Sequence, residues 1–175
     1  MKSLAPIGLF VAILAASTVG IAAQSATPAA LAARVQTLED RDAIRALLVD
    51  YATTLDNRDF EGFAQLWARD AEFSGGAGNT ARGPAAIAEL LKTLLGRNGA
   101  GKGLDFHLVM NQTVSVTGDT ATGFSRGTWV NTSDKRLQVA IIANYYDQFV
   151  RENGRWKFKR HQIGGEPPAT HRATR

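Results

Sequence analysis

The chain contains no cysteine, so it is held together by packing rather than disulfides, even in an oxidising compartment. It has no basic run interleaved with aromatics, which makes nucleic acid a poor partner. Asn98 to Gly103 is glycine-rich, but it lacks the spaced glycines and the Lys-Ser/Thr ending of a phosphate loop and reads as a connector. No His, Cys, Asp or Glu cluster has metal-ligand spacing, and no serine or cysteine sits in a nucleophile context, so the reading calls for no metal and no cofactor. There is no internal repeat. Beyond the N-terminus no second long hydrophobic run follows, and stable membrane insertion is not expected of the mature chain.

The 175 residues suffice for one domain with a real core. The first two dozen read differently. Met1-Lys2 is a short positive start, Ile7 to Ala16 an apolar stretch, and Gly20-Ile-Ala22-Ala23 a run of small residues. That is the order of a secretory signal, cleaved after Ala22 or Ala23, and it predicts a secreted or periplasmic protein. A membrane anchor is the rival, but the apolar core is short for a span of roughly 20 residues. Removing Lys2 from the 20 basic residues leaves 19 against 16 acidic ones, a small and scattered excess.

Residues 24–33, rich in Ala, Ser, Thr and Pro, read as a linker. A first helix then carries Ile44, Leu47, Leu48, Tyr51 and Leu55 as one apolar stripe, with Thr37 and Asp40 resembling a capping box. A short second helix is expected from Asp59, with Phe60, Phe63 and Trp67 on one side, then a strand at Ala71-Glu-Phe73 and a flexible Gly75–Gly78 connection. Gly83-Pro84 opens a third helix with Ile87, Leu90, Leu91, Leu94 and Leu95 buried, ended by Gly96. From Leu104 the pattern is of strands. Gly118-Asp119 and Asn153-Gly154 mark hairpins, Asn131 to Lys135 a polar loop, and Leu137 to Val150 one long β-rich stretch. Helices followed by an antiparallel meander predict an α+β fold, three N-terminal helices on one face of a curved sheet. Residues 164–175 read as a disordered tail.

Two residues carry the chemistry of the reading. Asp56 closes the first helix and His107 opens a strand. A carboxylate that meets an imidazole fixes the ring's tautomer and equips it to take a proton from carbon. At ~100° per residue, Asp56 falls on the edge of the buried stripe; by periodicity alone it is equally a cap or a surface carboxylate. His107 shares a strand face with Val109 and Asn111, and a structural histidine bonded to backbone is the alternative. Tyr51 belongs to the stripe, with its hydroxyl a candidate to reach a cavity. Trp67 and Trp129 are core or pocket wall, and Asn111 orients a ligand or satisfies backbone. Arg160 shares parity with Trp156 and Phe158, which puts a charge on the buried face and makes it a candidate anion binder. His161 takes the Lys157 and Lys159 face and is expected in solvent.

The run Ala43-Ile-Arg-Ala-Leu-Leu-Val-Asp-Tyr51, with Leu55-Asp56, Arg58-Asp59, Leu66-Trp67 and Asp70-Ala-Glu-Phe73, resembles the opening of SnoaL-like proteins of the nuclear transport factor 2-like (cystatin-like) superfamily. Gly83-Pro84, His107-Leu-Val-Met-Asn111, Gly118-Asp-Thr-Ala121, Tyr146-Asp147 and Asn153-Gly-Arg-Trp156 extend the resemblance over residues 34–163. It implies a cone-shaped α+β barrel with an apolar cavity, and an Asp at the end of the first helix paired with a His on the first long strand, as in the hexachlorocyclohexane dehydrochlorinases and scytalone dehydratases of that family. Asp56 and His107 match those positions. Many relatives have two adjacent histidines where this chain has Phe106-His107. The resemblance implies a small apolar substrate and a cofactor-free lyase or isomerase; the alternative is a non-catalytic ligand-binding or dimerisation module of the same fold. Ile141-Ile142 makes both faces of its strand apolar, which suggests a homodimer.

Overall fold

The structure is a computed structural model that describes residues 27–97, 105–133 and 136–164. The expected signal, the Asn98–Gly103 connector and the tail beyond Gly164 lie outside the described residues.

The first helix, α1, runs from Pro28 to Asp56. It starts inside the segment expected as a linker, because Thr27 supplies a cap that accepts from the Ala30 N–H at 3.2 Å and Pro28 occupies the first turn, where its missing N–H costs nothing. Its first turns are solvated: Leu31, Val35 and Leu38 are exposed. Thr37 is no cap; its hydroxyl donates to the Ala33 carbonyl inside the helix at 2.9 Å. Asp40 instead accepts from Arg151 at 2.6 Å and from the Trp156 indole and Gln36 at 3.2 Å. Burial pushes the Asp40 carboxyl up, and the bonds from Arg151, Trp156 and Gln36 bring it below its ordinary value. Beyond Asp40 the expected stripe of Ile44, Leu47, Leu48, Tyr51 and Leu55 is buried.

Arg58 ends α1 with a φ of 58°. Its N–H donates to Leu55 and that of Asp59 to Thr54, which satisfies the last carbonyls as a left-handed cap does. Asp59 then caps α2 (Phe60–Gln65) by accepting from the Gly62 N–H at 2.8 Å. Trp67, expected on that helix, begins β1 (Trp67–Ser74). A 3-10 turn at Gly76–Gly78 leads into β2 (Thr80–Arg82), whose three residues are too few to show a strand pattern in the sequence. The third helix, α3 (Pro84–Arg97), passes one residue beyond Gly96 and buries Ile87, Ala88, Leu91 and Leu95.

The meander follows as β3 (Asp105–Thr117), β4 (Thr120–Ser133), β5 (Arg136–Glu152) and β6 (Arg155–Ile163). Asn131–Ser133, expected as loop, pair with Arg136–Gln138 and lengthen the hairpin. The six strands lie in the order β2-β1-β6-β5-β4-β3. Every pair is antiparallel except β1 with β6, so the sheet is mixed. Hairpin signals report neighbours in the chain, whereas β1 meets β6 across nearly the whole domain. The sheet is open, with β2 and β3 at its edges, and α1 crosses it against β3 and β6. No helix among the described residues is long and apolar enough to cross a membrane.

Glycine matters on the β4 strand, where Gly123 lies against the Phe149 ring. Gly127 of β4 lies beneath the Tyr145 ring, and a Cβ there would run into that ring. Gly127→Ala should lower the free energy of unfolding by about 1–3 kcal/mol through overpacking. Chemical denaturation checks this; an unchanged midpoint would mean that Tyr145 does not lie flat on the strand.

Candidate active site

The Schellman-type end of α1 leaves Asp56 facing the first residues of β3. Its carboxylate accepts the His107 main-chain N–H, at 2.9 Å to Oδ1 and 3.1 Å to Oδ2, and Oδ1 lies 2.7 Å from ring Nδ1. Two residues 51 apart in the chain are thus one unit. The His107 side chain is 9% exposed and that of Asp56 22%. With Asp56 ionised, Nδ1 carries the proton and Nε2 is left as the acceptor. His107 Nε2 has no hydrogen-bond partner among the described residues. Trp129, opposite His107 in the β3–β4 register, stacks on the ring at 6.1 Å with 12° between planes. The ring is held by a carboxylate on one edge and an indole on one face, with one nitrogen free.

Of the other expected residues, Trp129 alone joins this pair. Tyr51 and Trp67 are buried beneath the centre of the sheet. Asn111 does not share the His107 face: a bulge between Met110 and Thr113 places it in the left-handed region, φ 54°, with its side chain exposed. Past the bulge the inward parity passes to Val114 and Val116. Arg160 is also displaced. Between Phe158 and Arg160 the β6 strand carries Lys159 as an extra residue against Phe149–Gln148 of β5, and one extra residue turns every later side chain to the other face. Arg160 therefore lies with Glu72 and Arg82 around an outer hollow. By the same slip His161, expected in solvent, is 0% exposed.

His161 and Asp147 form a second pair, which the sequence reading missed, with Nδ1 2.6 Å from Oδ1. A signal was present: Tyr145, Asp147 and Phe149 alternate on one face of β5, so a charge stood on a buried face and required a partner. Tyr51, tilted, and Tyr145, edge-on, pack against the His161 ring with centroids at 5.0 and 4.7 Å. Burial, then the charges of Tyr145 and Asp147, push the Tyr51 hydroxyl well above its ordinary value. Burial, then Asp147, raise Tyr145 to about 12. Elsewhere, a hollow of about 540 Å³ beside Ser115, Thr117, Thr120, Val150 and Lys159 sits at the β3–β4 turn, away from both pairs. Among the described residues no group of three or more His, Cys, Asp or Glu could hold a metal.

A family model described as a SnoaL-like domain matches residues 36–162. Among solved structures, a nuclear transport factor 2-like protein with a cystatin-like fold from Novosphingobium aromaticivorans is 30% identical, with a TM-score of 0.72 over 83% of this chain and 94% of that one. A protein of the same organism, provisionally named a scytalone dehydratase, is 26% identical, with a TM-score of 0.61 over 72% and 83%. A type 2 hexachlorocyclohexane dehydrochlorinase is 22% identical, with a TM-score of 0.63 over 78% and 99%, a likeness of fold. No curated protein matches the chain.

The tyrosines make the interior sensitive to alkali. A hydroxyl whose folded value lies above the ordinary 10 keeps its proton after the unfolded chain has begun to lose its own. Stability therefore falls as the pH rises from about 10 through about 12, by about 3 kcal/mol for Tyr145. Denaturation midpoints across that window should decline, less steeply in Tyr145→Phe; equal slopes in both proteins would refute the assignment.

Proposed function

This chain belongs to the SnoaL-like domain family, and on that footing we propose that it is an exported, cofactor-free lyase or isomerase acting on a small, largely apolar molecule. The observation that carries the proposal is the 2.7 Å contact between Asp56 and His107 Nδ1. His107 Nε2 removes a proton from carbon, and Asp56 holds the opposite N–H and balances the positive charge the ring acquires. The second bond, from the His107 main chain to the same carboxylate, fixes where the ring stands and so lowers the cost of aligning it. The pairing leaves ring Nε2 as an acceptor with no partner among the described residues, which a base requires and a module that only binds does not, and this favours the enzyme. The relatives named for dehydration and dehydrochlorination support elimination as the reaction class. Export rests on the order of charge, apolar run and small residues over Met1–Ala23.

Apolar molecules that raise the melting temperature identify binders; these, with hexachlorocyclohexane among them, are then assayed for loss of chloride or water. His107→Ala and Asp56→Asn should each reduce turnover by about 100-fold or more while the melting curve persists. Turnover retained in either variant would end the mechanism.

The proposal includes a homodimer. Leu137, Val139 and Ile142 of β5 are exposed on the sheet face turned away from His107, as are Leu108 and Met110 of β3, an apolar surface of the kind that self-association covers. Sedimentation should give twice the monomer mass and Ile142→Lys the monomer; a monomeric wild type overturns this part.

A further inference from the structure

The slip that turns His161 inward turns Arg160 outward, and its surroundings there are ordered. Arg82 of β2, Glu72 of β1 and Arg160 of β6 stand opposite one another across three strands, and Thr80, Ser74 and Gln162 form the next row. Two residues separate the rows along each strand, so both rows face the same side of the sheet. The first row, with Ser74 and Thr80, borders a hollow of about 480 Å³. The elimination proposed for Asp56 and His107 does not use it, and the apolar surface assigned to self-association lies on β3 and β5 instead.

The charges around this hollow do not balance. Glu72 is one acid between two guanidiniums, and it accepts from Arg82. Arg160 is half-buried and has no ion pair and no side-chain hydrogen bond among the described residues; the Ser74 and Thr80 hydroxyls are likewise without a partner there. A guanidinium that gives up water calls for an acceptor, best a planar one that takes two parallel N–H bonds. Each class of guest meets the site differently. A cation is repelled by the two arginines. A dianion such as sulfate brings one charge too many and meets Glu72. A neutral amide has the shape of a carboxylate without its charge. A carboxylate matches both the single unbalanced positive charge and the fork of the guanidinium, and its oxygens also accept from hydroxyls. The hollow is larger than a carboxyl group, which leaves room for a small organic body. We propose that Arg160 anchors a binding site for a small organic monocarboxylate, with Ser74 and Thr80 donating to the same group. Glu72 holds Arg82 and sets the charge of the site. The assignment concerns binding and stands apart from the chemistry assigned to His107.

Acetate, acetamide and sulfate, titrated into the full chain at pH 7 and followed by nuclear magnetic resonance, separate these cases. Acetate should shift the Arg160 side-chain N–H and the Ser74 and Thr80 amides along saturable curves. It should bind at least about tenfold tighter than acetamide, and tighter than sulfate. Arg155, exposed at the start of β6, serves as the control and should not respond. Arg160→Gln should abolish the saturable shifts at Ser74 and Thr80. Glu72→Gln removes the opposing charge and frees Arg82; it should tighten acetate by about threefold, and sulfate by more because it carries twice the charge. Asp56→Asn should leave acetate binding unchanged, which separates this site from the elimination site. Equal shifts at Arg155 and Arg160, the mark of diffuse attraction for any anion, would overturn the proposal. So would acetamide binding as tightly as acetate, or saturable acetate binding that survives Arg160→Gln. Should Arg160→Gln not fold, an acetate affinity unchanged in Glu72→Gln would overturn it alone.

Discussion

The carboxylate of Asp56 sits at the C-terminal end of a helix, where the main-chain carbonyls already concentrate negative charge. It is tolerable there only if it gathers donors, and His107 supplies two, one from the main chain and one from the ring. The apolar stripe of α1 brings the helix down on the sheet, but hydrophobic contact is non-directional and leaves sliding and rotation cheap. The directional bonds remove that freedom: Asp56 ties the end of α1 to the start of β3, and Asp40 ties its middle to Arg151 and Trp156 on β5 and β6. The bond that docks the strand is the bond that aims the imidazole, so fold and candidate chemistry rest on one contact.

Bulges decide which side chains enter the interior. The β3 strand gains two residues against one between Met110 and Thr113, and β6 gains Lys159 against Phe149–Gln148. Each turns the rest of its strand over. The first puts Asn111 outside; the second takes Arg160 out and brings His161 in. The sheet thereby exchanges a guanidinium, which would need an anion, for an imidazole whose anion is already in place on the neighbouring strand. The interior is then aromatic with two polar inclusions, and Gly127 gives the Tyr145 ring room to lie across β4 beside them.

The α1 stripe, the Gly83-Pro84 helix start and the two tight hairpins were legible because each is a local pattern: a period of 3.6, a proline whose N–H is dispensable, a turn that needs a left-handed residue. Asp56 and His107 were legible as a matched pair of positions, and their resemblance to a known family supplied what periodicity did not. The start of α1 at Pro28 was obscured by a composition that suits linkers and helices alike, and β2 by its three-residue length.

By itself the sequence determined the elements other than β2, their order, the apolar faces that had to be covered and the residue types available for proton transfer, because these follow from spacing along one chain. Tertiary structure alone decided the parallel seat of β1 on β6, the contact of Asp56 with His107 and the burial of His161 against Asp147. Each depends on register between segments distant in the chain, and register is set by three-dimensional packing, where one extra residue in a strand is enough to exchange inside for outside.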